Sequence, residues 1–228
     1  MFDSADARLE SSIAVIEWSR EEAVSNRLRG EAMKEIEAKY RLRDVEKFRQ
    51  SLISQAFVCA GRVLETNVIF DREQESLRNR GCTLRLRTNH PLTERTIEPS
   101  STSQPSRDMH ILTYKGPVEA GRIKIRPEFE TSVESAITME QILSHLGFCP
   151  QMLFEKRRET WQGRSCEVVV DELPRLGWFV EIEASCVADV ESAARELGLP
   201  LADLEPRSYA AMIASILETD SPPCRLTF

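Results

Sequence analysis

The 228-residue sequence has no CxxC pair, only three histidines and no apolar run of membrane-spanning length. Its six cysteines (Cys59, Cys82, Cys149, Cys166, Cys186 and Cys224) are widely scattered. That spacing argues against a disulfide scaffold or a zinc site and for reduced thiols in a cytoplasm. His90, His110 and His145 are isolated from one another. No transmembrane helix is expected, and the N-terminus lacks the basic-then-apolar layout of a signal peptide. A cytoplasmic protein with no membrane partner is the expectation. An excess of positive charge is missing as well: 30 lysines and arginines against 37 acids give a net charge of −7. That balance does not suit non-specific nucleic-acid binding, and no nucleic-acid partner is expected. Net charge does not forbid a site that gathers its own bases. No solenoid-type repeat occurs.

What is present is 41% hydrophobic sequence, enough for one sizeable core. Residues 1–32 carry a loose helical pattern with many charges (Ile13, Ile16, Val24, Leu28) and read as an N-terminal extension, helical or disordered. A clean strand alternation begins at Met33, which suggests a natural start there. Asp44 precedes Val45, Phe48, Leu52, Ile53 and Phe57 at helical spacing, a helix ending near Gly61. Strands are expected at 34–40, 63–71, 83–88, 109–115, 122–133, 151–161, 165–171 and 178–185. Short helices are expected at 138–146, 188–197 and 208–217. The Pro/Ser/Thr-rich stretch 89–108 reads as a mobile loop and 219–228 as a loop-like tail. The resulting fold class is α+β, mainly β: an eight-stranded antiparallel closed barrel over 33–218 with a few helices packed outside.

The strands share an unusual feature. Because side chains alternate with period 2, Glu35, Glu37 and Lys39 lie on one face, as do Arg85 and Arg87, Thr113 and Lys115, and Lys156 and Arg158. Lys124, Arg126, Glu128 and Glu130 occupy successive same-face positions; Glu181 and Glu183 form another pair, and Asp171 ends a strand. The opposite faces carry Ile36, Ala38, Leu84, Leu86, Ile123, Ile125, Val180 and Ile182, which can bury against helices. Any one charged face alone reads as solvated surface. Together they point into a common interior. Unpaired charge there is costly, so a wet tunnel that binds a polyanion with balancing cations is the consistent solution. Arginine and lysine suit phosphate oxygens. Clustered carboxylates suit hard divalent ions.

At these residues the chain resembles the CYTH superfamily, the triphosphate tunnel metalloenzymes. Glu35-Ile-Glu-Ala-Lys39 is similar to its ExExK signature, Glu65 to Asp71 to the second-strand motif, and Leu84-Arg-Leu-Arg87 to LRxR. Leu112-Thr-Tyr-Lys-Gly-Pro117, Lys124 to Glu130, Phe154 to Arg158, Asp171 with Leu176 to Glu183, and Arg207-Ser-Tyr209 follow in the family's order. The resemblance covers about residues 33–218. It implies Glu35, Glu37, Glu181 and Glu183 as metal ligands for Mg2+ or Mn2+. Glu128, Glu130 and Asp171 are then candidates for a second metal or for orienting water. Lys39, Arg85, Arg87, Lys115, Lys124, Arg126, Lys156 and Arg158 are candidate phosphate binders, some of which could serve only as internal salt bridges. Lys39, Glu128 and Asp171 are the catalytic candidates.

The implied chemistry is metal-assisted hydrolysis of a triphosphate: inorganic tripolyphosphate, thiamine triphosphate or a nucleoside triphosphate. The lining does not separate this from a class IV adenylyl cyclase, which converts ATP to cyclic AMP and pyrophosphate. The strand Gly81 to Arg87 lacks the acidic-rich pattern of the cyclases and favours the triphosphatase branch. A non-catalytic polyphosphate-binding module would keep the bases but need not keep the paired acids. The 89–108 loop reads as a lid over substrate or as a tolerated insertion. Family members are monomers or dimers.

Overall fold

The computed structural model describes residues 33–74, 76–92, 108–217 and 223–228. The expected extension 1–32 lies outside these residues, as does most of the expected 89–108 loop with its lid reading.

The elements, in chain order, are β1 (Met33–Leu42), α1 (Val45–Ser54), β2 (Val58–Asp71), β3 (Thr83–Pro91), β4 (Met109–Lys115), β5 (Lys124–Val133), α2 (Ala136–His145), β6 (Cys149–Gln162), β7 (Cys166–Leu173), β8 (Gly177–Ala184), α3 (Val187–Glu196), α4 (Tyr209–Leu217) and β9 (Cys224–Leu226). The strand order is β2-β3-β4-β5-β1-β8-β7-β6, and β2 pairs again with β6, so eight strands close into a barrel. Every pairing around the ring is antiparallel. Closure removes the unpaired edges that an open sheet would expose. Among the described residues no helix is long and apolar enough to cross a membrane.

The alternation dictates what packs where. Outward-facing Ile36, Ala38, Tyr40, Val168, Val170, Val180 and Ile182 form a core with Phe48 and Leu52 of α1 and Val190, Ala193 and Ala194 of α3. A second outer core joins Phe70, Leu84 and Leu86 to Leu143 of α2. A third closes one end of the barrel, where Met152, Phe154, Leu173 and Phe179 meet Tyr209, Met212 and Ile213 of α4 and Leu226 of β9. Each fully buried aliphatic or aromatic side chain contributes about 1.5–3 kcal/mol. The inward face is therefore free to be polar.

Element ends shift by a few residues throughout, and four differences from the sequence reading bear on the fold. α1 ends at Ser54 rather than near Gly61, because Ala56 takes a left-handed φ of 61° and the Phe57 N–H donates back to the Leu52 carbonyl at 3.0 Å. β2 consequently starts at Val58, with a register irregularity between Cys59 and Gly61. β3 runs on to Pro91 rather than ending at Thr88, since Asn89 pairs with both Glu65 and Met109. The tail read as loop contains β9, a parallel strand on Met152 to Phe154 of β6.

Local chemistry fixes the turns. Asp71 at the end of β2 accepts hydrogen bonds from the Ser76 hydroxyl at 2.7 Å and from the Leu77 and Arg78 N–H groups at 2.6 and 3.2 Å, organising the turn that leads into β3. Burial would raise its pKa, but these bonds hold it below the usual carboxylate range. Gly116, after Lys115, donates to the Pro127 carbonyl at 2.8 Å, and a Cβ there would lie 2.6 Å from Pro127 Cγ. Only glycine allows that approach.

Candidate functional site: a charge-lined tunnel

All the charged residues singled out from the sequence lie on strands of the barrel wall. The register sets them against one another. Glu35 faces Arg126 and Glu37 faces Lys124 across β1 and β5. Glu37 also faces Glu183, and Lys39 faces Glu181, across β1 and β8. Lys115 faces Glu128 and Thr113 faces Glu130 across β4 and β5. Arg158 faces Asp171 across β6 and β7.

The deepest cluster is almost dry. Glu65 is 1% exposed, Lys156 2% and Asp171 0%. Lys156 donates to Asp171 at 3.1 Å and meets Glu65 at 3.3 Å. Arg158 grips Asp171 through Nε at 2.8 Å and Nη2 at 2.6 Å, and reaches Glu181 at 2.7 Å. Lys39 lies 3.1 Å from Glu181 and donates to the Arg207 carbonyl at 3.3 Å. From α4, the Tyr209 hydroxyl donates to Asp171 at 2.8 Å, and its ring lies 4.1 Å from Lys39 Nζ. Burial opposes ionisation of Glu65, yet Lys156, Arg158 and Arg87 hold it far below the ordinary range. Burial likewise opposes charge on Glu181, and Lys39 and Arg158 again prevail. Lys156 itself is pushed down by burial and by Arg158.

The second cluster is wetter. Glu35 receives Lys115 and, at 2.6 Å, Arg126 Nε; Lys124 binds Glu37; Lys115 also meets Glu128 at 3.2 Å. Burial would raise the Glu35 carboxyl, but Lys115, Lys124 and Arg126 lower it to about 2. Glu183 goes the other way. Crowding within the barrel and then Glu35 push it up to about 8, with Lys115 opposing and Glu37 adding to the rise. Its side chain is nevertheless exposed to solvent. Water weakens the burial contribution there, so the neighbouring carboxylates are the firmer cause.

Eight bases (Lys39, Arg85, Arg87, Lys115, Lys124, Arg126, Lys156, Arg158) face eight acids (Glu35, Glu37, Glu65, Glu128, Glu130, Asp171, Glu181, Glu183). The lining is therefore close to neutral, and a polyanion entering it must bring or meet extra cations. Two arginines are under-used. Arg85 contacts Thr113 at 3.3 Å and, among the described residues, has no carboxylate within ion-pair distance; its Nε and that of Arg87 are buried without acceptors. Burial and the adjacent Arg87 lower the Arg85 pKa, as expected for a cation lacking its anion. Arg87 reaches Glu65 and Glu130 only at 3.5 Å.

For a metal, the chemistry of the donors fits: hard carboxylate oxygens from Glu35, Glu37 and Glu183 share one patch of wall. Among the described residues, though, no three such groups converge in metal-binding geometry, because Glu35 and Glu37 are turned onto lysine and arginine. Metal binding would require those pairs to exchange partners.

Site selection from sequence passed over Glu65, Asn67 and Tyr209. Glu65 and Asn67 obey the same i, i+2 rule as the residues that were chosen, on a strand whose other face carries Phe70. Asn67 is 0% exposed, and its Oδ1 is buried without a donor. Tyr209 comes from a helix and shows no strand periodicity; its one trace in the sequence is the Arg207-Ser-Tyr209 motif.

The pairing of the wall is incomplete between β1 and β5. The β1–β5 ladder stops at Glu37 opposite Lys124. Beyond it, Tyr40 bridges Leu204 and the Glu205 N–H donates to the Lys39 carbonyl at 2.8 Å, so a loop rather than a strand completes the wall. A cleft lies there, lined by Glu37, Lys39, Arg122, Lys124, Leu204, Glu205 and Pro206.

The dependence on ion pairs predicts acid sensitivity. Glu35, Glu65 and Glu181 have folded-state pKa values below their unfolded ones. The unfolded chain therefore binds more protons in acid. The stabilisation these groups provide is complete above about pH 4.5 and is lost as pH falls towards about 2. Urea unfolding across that window should show a midpoint that drops steeply; a flat midpoint would show that the pairs contribute little.

Comparison with known proteins agrees with this geometry. The chain is 27% identical over 206 residues to an adenylate cyclase of Aeromonas hydrophila, covering 82% of this chain and 92% of that one. It is 26% identical over 158 residues to a candidate adenylate cyclase of Methanocaldococcus jannaschii, covering 69% and 80%. A solved Pyrococcus horikoshii protein superposes with a TM-score of 0.64 at 21% identity, over 79% of this chain and 98% of that one. A candidate adenylyl cyclase from Hippeastrum, described as having a dominant triphosphatase activity, superposes with a TM-score of 0.57 at 16% identity, over 79% and 95%. The sequence model of the CYTH domain matches residues 33–209, from the first strand of the barrel to Tyr209 on its floor, and the chain belongs to that family.

Proposed function

We propose that the tunnel binds a triphosphate together with Mg2+ or Mn2+ and hydrolyses it. The observation that carries this reading is the pair Arg85 and Arg87, whose buried Nε groups lack acceptors inside a closed, charge-lined barrel. Phosphate oxygens are the natural complement of such donors. Because the lining is near neutral, the anion needs accompanying cations, for which Glu35, Glu37, Glu181 and Glu183 are the ligand candidates. When bound, the metal would supply charge neutralisation on the phosphate oxygens. The chain's own part is to position. Lys39, Arg85, Arg87, Lys115, Lys124 and Arg126 fix the phosphates. Lys156 and Arg158, locked by Asp171 and Glu65, form the floor. Glu128, held among the described residues by Lys115 at 3.2 Å, is the better placed carboxylate to orient an attacking water, whereas Asp171 is fully committed to donors.

The second reading is an adenylyl cyclase, in which the ribose 3′-hydroxyl attacks the α-phosphate and pyrophosphate leaves. The Aeromonas hydrophila relative favours it; the Hippeastrum neighbour with dominant triphosphatase activity favours hydrolysis. A binding module without turnover is the third, and the intact acid pairs weigh against it. Incubation with tripolyphosphate, thiamine triphosphate and ATP, with Mg2+, Mn2+ or chelator, separates them. Phosphate release that chelator abolishes is expected. Cyclic AMP with pyrophosphate would replace hydrolase with cyclase, and tight binding without any product would leave only the module.

A further inference from the structure

The irregular stretch of barrel wall between β1 and β5 joins the charged lining to an exposed rim of different chemistry. On its inner side are Glu37, Lys39 and Lys124, which belong to the lining. The same cleft is lined by Leu204, Pro206 and Arg122. Leu204 is half-buried, part of its side chain packing on the outer core and part lining the cleft, and Pro206 is exposed and has no N–H to offer. Arg122 is exposed, and among the described residues it has no ion-pair partner. The loop that carries Leu204 and Pro206 is fixed in place, tied to β1 through the Tyr40 bridge and the Glu205 N–H bond to Lys39. Glu205 is in turn gripped by Arg207 at 2.7 and 2.6 Å. An apolar ledge with an unpaired guanidinium beside it suits a planar heteroaromatic ring: the ring lies on proline and leucine, and the guanidinium stacks on its face.

We propose that this cleft seats the base of a nucleoside triphosphate and that Arg122, Leu204 and Pro206 determine specificity for the group attached to the phosphates. The phosphates then run inward past Lys39 and Lys124, the two lysines shared by cleft and tunnel. This inference rests on the triphosphate reading above and adds to it where the rest of the substrate lies. Bare tripolyphosphate has nothing to place on the ledge.

The test is titration calorimetry on the full chain with Mg2+ and either the β,γ-imido analogue of ATP or tripolyphosphate. Arg122→Ala and Pro206→Ala alter exposed side chains, so folding should survive; a thermal melt of each variant checks this. Each should weaken the nucleotide analogue about three- to tenfold, the range of a partly desolvated stacking contact. Tripolyphosphate affinity should change less than about twofold for Pro206→Ala, and less than nucleotide affinity for Arg122→Ala, whose charge also attracts the anion. Unchanged nucleotide affinity, or equal weakening of both ligands, overturns the inference while leaving the triphosphate reading intact. Failure of the unaltered protein to bind either ligand overturns that reading, and the inference with it.

Discussion

Replacing Asp171 with alanine should destabilise the protein by about 3–5 kcal/mol, the range for removing one partner of a buried ion network. Asp171 has no exposure and accepts from Lys156, twice from Arg158 and from Tyr209. Without it, the buried Lys156 and the partly buried Arg158 share Glu65 and Glu181, and a buried phenol loses its acceptor. Lys156 is 2% exposed and cannot reach water, whereas Arg158 is partly exposed and keeps Glu181, so Lys156 carries most of the loss. In a chain of 228 residues this corresponds to roughly a 10 °C fall in melting temperature. Adding Lys156→Met should recover part of the loss, since the orphaned cation goes with it. Thermal and urea unfolding would measure both. A single-variant loss below about 1 kcal/mol would mean that the network is hydrated and that Asp171 is free for another role.

Glu35→Gln should have its largest effect on turnover. Glu35 lies between Lys115 and Arg126 and stays ionised down to about pH 2. The amide keeps the shape and can still accept hydrogen bonds, so the fold should hold, with a stability loss of about 1–3 kcal/mol. The negative charge is gone, and with it the attraction for a divalent ion and the tether on two phosphate-binding bases. Turnover at saturating Mg2+ should fall at least about a hundredfold, the scale for removing one preorganised charged group. The half-saturating Mg2+ concentration should rise. Full activity at unchanged Mg2+ dependence would remove Glu35 from the metal site.

How much of this was legible in the sequence follows from period. In β1, Glu35, Glu37 and Lys39 alternate with Ile36, Ala38 and Tyr40, which is enough to separate an inward charged face from an outward apolar one. The same rule places Arg85, Arg87, Glu181 and Glu183. It does not reveal which bases and acids pair with one another, because pairing is set by strand register and not by local pattern. Ala56 ended α1 early with a left-handed backbone but no glycine to mark it. The tripeptide β9 is too short to show a period, and its partner lies about seventy residues away on β6. Tyr209 joins the site through helix packing, and the rim residues Leu204 and Pro206 through a loop that substitutes for a strand. Neither leaves a periodic trace.

The central claim is that the charged interior of the barrel binds a metal–triphosphate, with its ion pairs exchanging partners to do so. The most direct measurement is a crystal structure grown with Mn2+ and tripolyphosphate, using the anomalous signal of manganese to place the ion. The account predicts manganese among Glu35, Glu37, Glu181 and Glu183, phosphate oxygens on Arg85 and Arg87, and Lys115 and Lys124 released from Glu35 and Glu37. Manganese and tripolyphosphate bound outside the barrel, with those pairs unbroken, would contradict it.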